Sequence, residues 1–134
     1  MSFAQMVDFV GLQARERRLT CNVYWEGRRP VILLSADESP TTVRLSLDEE
    51  IFLSATSDGY EIVDSAIGAS DQRETLMELV EAFSKYLKGE FREVERRGWS
   101  GIRRFREVEI EETVFTFRRS GINASVVRRT RSQS

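Results

Sequence analysis

The period of the apolar positions changes twice in the first thirty-five residues. Phe3, Met6, Val7 and Val10 recur at i, i+3, i+4 and i+7, which predicts a helix over residues 2–15 with one apolar stripe. Ser2 and Gln5 have the spacing of a capping box, and Arg15, Arg17 and Arg18 crowd the far end, where cations suit the helix dipole. From Leu19 the period drops to two. Leu19, Cys21, Val23 and Trp25 alternate with Thr20, Asn22 and Tyr24, predicting a strand with one buried face. Residues 30–35 are a short apolar run, read as a central strand with Pro30 at its first position. Residues 42–47 alternate again through Val43, Leu45 and Leu47. Residues 51–56 and 60–63 flank Ser57-Asp58-Gly59, a hairpin turn whose glycine permits the positive φ it needs. Four or five consecutive antiparallel strands follow, a meander.

The second half predicts one strong helix. Asp71 as N-cap with Glu74 three residues on would form a capping box, and Leu76, Leu79, Val80, Phe83 and Leu87 make the apolar face. Gly89 is the natural stop. Phe91 and Val94 keep the spacing, so an end at Gly98 stays open. Residues 99–101 break the pattern. Val108 and Ile110 then alternate with Glu107, Glu109 and Glu111, reading as an edge strand with a charged outer face. Residues 113–117 read as a last strand. The expected fold class is α+β: an antiparallel β-meander with helices packed on one face. Residues 1–123 are expected to be one domain and 124–134 a flexible basic tail. Trp25, Val31, Leu33, Leu45, Phe52, Leu79, Phe83 and Leu87 are the expected core.

Composition narrows the chemistry. The chain has no histidine, so it lacks the commonest proton-transfer group near neutral pH and the commonest zinc ligand. Cys21 is the single cysteine, which precludes an internal disulfide and a cysteine-based structural zinc site. The first residues lack a basic stretch followed by an apolar one, and no run approaches a membrane span. A cytoplasmic protein without membrane contact is expected. Gly98-Trp99-Ser100-Gly101 is one residue short of a nucleophile elbow and reads as a helix-to-strand turn. No phosphate-binding glycine loop is present. Glu61 with Asp64, or Asp48 with Glu50, could converge on a metal, which keeps a carboxylate-metal hydrolase among the alternatives. Otherwise no cofactor, metal or catalytic residue is expected, and the chain reads as a non-enzyme.

Charge is split along the chain. Between Asp37 and Asp71 nine carboxylates face one base, Arg44; from Arg118 onward there are five arginines and no acid. Arg92, Arg96, Arg97, Arg103, Arg104 and Arg106 are interleaved with Glu90, Glu93, Glu95, Glu107 and Glu109, which would repel a phosphate backbone, and the whole chain carries net −2. A nucleic-acid-binding module is therefore disfavoured. The acidic segment instead reads as a steering surface for a basic protein partner. Asp37, Glu38, Asp48, Glu49, Glu50 and Asp58 are the candidate steering charges, with Tyr60 (and Tyr24 nearby) as exposed aromatic anchor.

The hairpin of residues 51–55 and 60–63 around Asp58-Gly59, followed by a helix ending in Tyr86-Leu87, resembles actinobacterial-type immunity proteins of polymorphic toxins. The resemblance covers about residues 42–97 and does not include the basic tail. It implies a non-catalytic domain that binds a cognate toxin, of nuclease or NAD-degrading type, and blocks its active site. The alternative reading is a type III-like secretion chaperone that holds an effector. Self-association into a homodimer stays open.

Overall fold

The switch in period at Leu19 is the junction between α1 (Phe3–Glu16) and β1 (Thr20–Glu26) in a computed structural model that describes residues 1–119 and the backbone of residues 130 and 131. The Ser2–Gln5 capping box forms in both directions, at 3.1 and 2.9 Å. After β1 come β2 (Arg29–Ser35), β3 (Thr42–Leu47), β4 (Ile51–Thr56) and β5 (Tyr60–Ser65), each paired antiparallel with the one before. This is the expected meander, with five strands; Pro30 takes the second position of β2.

α2 (Ala69–Leu87) starts three residues earlier than the sequence suggests. Gly68 is its N-cap, so Asp71 falls at N3, where its Oδ2 accepts the Gly68 N–H at 3.3 Å. The helix stops at Gly89, not Gly98. The Gly89 N–H donates to Tyr86 O and the Glu90 N–H to Lys85 O, a Schellman closure with Gly89 at φ 78°.

Three strands then follow rather than two: β6 (Arg92–Gly98), β7 (Gly101–Ile110) and β8 (Thr113–Arg119), with a two-residue β9 (Thr130–Arg131) beside β8. Gly98–Gly101 is thus a strand-to-strand hairpin turn, not a helix-to-strand one. β7 lies between β6 and β8, so the charged strand expected at an edge is interior and β6 is the edge. The sheet order is β1-β2-β3-β4-β5-β8-β7-β6, antiparallel throughout. β5 and β8 join through only two residue pairs, Tyr60–Arg119 and Glu61–Arg118.

Both helices lie on one face. The register aligns Val23, Ile32, Leu45, Ser54 and Ile62 across five strands on that face. Phe52, Phe115, Phe117, Leu79 and Phe83 complete a continuous core. Leu33 is only half-buried and Val31 buried, both on the face opposite the helices. The rest of the expected basic tail, including Arg128 and Arg129, lies outside the described residues. Among the described residues no helix is long and apolar enough to cross a membrane.

Candidate binding surfaces

The candidate acids do not form one surface. Asp37 and Glu38 lie in the β2–β3 loop and Asp58 in the β4–β5 turn, at one end of the meander. Asp48, Glu49 and Glu50 lie in the β3–β4 loop at the other end. A six-residue strand separates the groups by roughly 20 Å, beyond the ~8 Å screening length of physiological salt. They act as two separate patches.

Asp58 is also not a free steering charge. Its carboxylate accepts from Thr56 Oγ1, from the Tyr86 hydroxyl at 3.0 and 3.1 Å, and from Arg106 Nη1 at 2.5 Å. Burial pushes the Asp58 carboxyl upward, but the hydrogen bonds from Thr56, Tyr86 and Arg106 outweigh it and hold the carboxyl below its ordinary value. The same burial pushes the Tyr86 phenol up to about 12, with the Asp58 charge adding to it. Arg106 Nη1 also donates to Tyr86 Oη at 2.8 Å, and Glu93 takes Nε and Nη2 at 3.3 and 3.2 Å. Its guanidinium stands 4.2 Å from the Tyr60 ring centroid and 4.5 Å from that of Phe91. Tyr60 is 4% exposed and packs inside this cluster, so it is not the surface anchor expected of it.

The cluster ties the β4–β5 turn, the end of α2 and β7 together where the β5–β8 ladder is shortest. Arg106 and Tyr86 were not among the sequence candidates. The signal was present: stepping back by two from the inward-facing Ile110 and Val108 lands on Arg106. An arginine at an inward position requires a partner there.

The flank formed by α1 and β1 departs furthest from expectation. Leu19, Cys21, Val23 and Trp25 do share one face, but burial decays along it. Leu19 is buried, Cys21 half-buried, Val23 40% exposed and Trp25 52% exposed. Trp25 is therefore not core. The reason is the oblique path of α1 across the sheet. Its start is held near the β3–β4 loop, where the Met1 amino group donates to Gln72 and Gln72 Nε2 donates to Glu49 O. Its end sits over the start of β1, where the Leu19 N–H donates to Ala14 O. The lower half of β1 is left uncovered. Between α1 and β1 runs an open groove of about 590 Å³, lined by Val7, Gly11, Leu12, Cys21 and Val23 with Asp8 and Arg15 at its margins. Leu12 is also exposed. Among the described residues nothing pairs with the outer edge of β1. Burial raises the Cys21 thiol above its ordinary value, so it lacks the low pKa of a reactive thiol.

Of the metal alternatives, Asp48 Oδ1 accepts from the Glu49 N–H at 2.8 Å and its Oδ2 pairs with Arg29 at 3.4 Å, with Glu50 exposed beside it. Glu61 and Asp64 stand three apart on β5 and so point to opposite faces of the sheet, where they cannot share an ion. Among the described residues no group of three or more carboxylates or thiols is placed to hold a metal ion. No protein-family model matches this chain, nor does any curated protein sequence or solved structure.

Proposed function

We propose that this chain is a non-catalytic protein-binding domain whose recognition surface is the α1–β1 flank. One observation carries the reading: an apolar strand face, uncovered from Val23 to Trp25, beside a strand edge that pairs with none of the described residues and an apolar groove. A partner strand could add to β1 by backbone hydrogen bonds while its side chains enter the groove. Trp25 and Leu12 supply the large apolar contacts that concentrate binding energy.

Toxin immunity remains the lead within that class. Trp25 lies at the same end of the sheet as Asp48, Glu49 and Glu50, and Glu49 and Glu50 are exposed. A basic catalytic domain would be drawn to that end and held by the apolar flank. The groove itself favours the second reading, a secretion chaperone, because it suits an extended apolar segment.

Capture from native lysate at low and high salt, then reconstitution with the purified partner, tests the proposal. Trp25→Asp with Val23→Asp should abolish stoichiometric binding while the circular dichroism spectrum stays unchanged. Reversing Asp48, Glu49 and Glu50 to lysine should slow association about tenfold at low salt. A basic catalytic domain as partner supports immunity, and an apolar segment of a secreted protein supports the chaperone. Binding indifferent to Trp25→Asp sinks the proposed surface.

A further inference from the structure

Among the described residues the β6–β7 hairpin extends past the end of β8. β8 begins to pair with β7 only at Phe105, so residues 101–104 have no partner on that side among the described residues. With the turn, the overhang is roughly 13 Å long. At its crown Trp99 is 104% exposed, and Ile102 beside it is 54% exposed.

The interleaved acids do not reach this crown. Glu107 pairs with Arg92 at 2.7 Å, Glu93 with Arg106 at 3.2 Å and Glu95 with Arg104 at 3.5 Å, all toward the base of the ribbon. Beyond the Glu95–Arg104 pair the ribbon carries Arg96, Arg97 and Arg103 and no carboxylate. Among the described residues none lies in ion-pair range of Arg96, Arg97 or Arg103. Arg96 and Arg103 are directly opposite in the ladder and so share one face, with Arg97 and Arg104 on the other. Like charges placed opposite destabilise a strand pair, and a bare tryptophan gains nothing from the fold. Both features suit an anionic partner that presents a flat ring.

We infer that the β6–β7 hairpin binds single-stranded nucleic acid, with a base stacked on Trp99 and phosphates on the arginines of both ribbon faces. An exposed indole takes a base face-on only from an unstacked strand, which favours a single strand over a duplex. Guanidinium groups on both faces let the backbone pass around the crown with phosphates on either side. A flat bilayer would meet the ribbon end-on. It would find only Trp99 and Ile102 among two glycines and a serine. This surface is separate from the α1–β1 flank and does not depend on it.

The test is fluorescence anisotropy of a labelled oligouridine titrated with the full chain at about 50 and about 200 mM salt, beside a titration with phosphatidylserine vesicles. Three phosphate contacts, from Arg96, Arg97 and Arg103, predict a log–log salt slope of about −2. Trp99→Ala should weaken binding about tenfold with the slope unchanged. Arg96→Gln with Arg103→Gln should weaken it and flatten the slope by about 1.4. All three positions are exposed, so an unchanged circular dichroism spectrum separates lost binding from lost fold. No oligonucleotide binding at low salt overturns the inference. So does binding that survives both sets of substitutions, or capture by anionic vesicles alone.

Discussion

Three donors converge on Asp58, and the consequences are readable at single residues. Its carboxyl is held below its ordinary value, so its contribution to stability is complete above the unfolded pKa of about 3.9 and is lost as pH falls through the lower folded value. Tyr86 runs the other way. Its phenol is raised to about 12, so its contribution is complete below the unfolded value of about 10 and is lost as pH rises from there to about 12. Phenolate absorbance should therefore show a late step toward about pH 12, and Tyr86→Phe should remove it. Arg106→Met should cost about 2 kcal/mol in urea unfolding, because it strips a part-buried carboxylate of its cation. Asp58→Asn with Arg106→Met should cost measurably less than the sum of the single changes. Additive losses would mean that the pair is not coupled.

Two helix ends invite a comparison at the scale of the element. α1 and α2 both close with Schellman bonds, but the left-handed position is Gly89 in one and Arg18, at φ 60°, in the other. A side chain there is strained and glycine is not. Arg18→Gly should raise stability by about 0.5–1 kcal/mol, and Gly89→Ala should lower it by about 1 kcal/mol, both by thermal melting. If Gly89→Ala melts with the parent, that closure is not needed. Elements with one buried face were legible in the sequence, because burial stamps its period on them: α1, α2 and the five meander strands. The β6–β7 ribbon was not. Most of it has no buried face, so arginine and glutamate fill its alternation and it could be mistaken for a helix extension. The binding surfaces were the least legible part. The run of acids from Asp37 to Asp58 is continuous only in sequence, and a meander sends alternate loops to opposite ends. Trp25 failed as a core residue for a related reason: alternation reports that a face is apolar, not what covers it.

At the scale of the molecule, the sheet is a five-stranded leaf and a leaf of β6, β7 and β8 with the short β9 beside it, joined by the two-pair β5–β8 contact, with α2 and the Arg106 cluster packed across the joint. The meander closes through neighbouring hairpins, whereas the joint brings Tyr60 to Arg119. Closing a loop of roughly sixty residues costs on the order of 3–4 kcal/mol in chain entropy. Contacts at the joint should therefore form late. Phe117→Leu, beside the Tyr86 ring, should speed unfolding and leave the folding rate nearly unchanged, while Leu45→Ala in the meander should slow folding. Stopped-flow rates that reverse this order would place the nucleus at the joint.

The two-pair joint has a further consequence on the ribosome. β5 is complete long before β8 exists. At typical elongation rates of ~5–20 residues per second, its outer edge waits about three to twelve seconds for a partner. An open strand edge is a hazard for that interval, and charge is the usual guard. β5 carries Glu61 and Asp64, one on each face, so the strand that waits bears an acid on both sides.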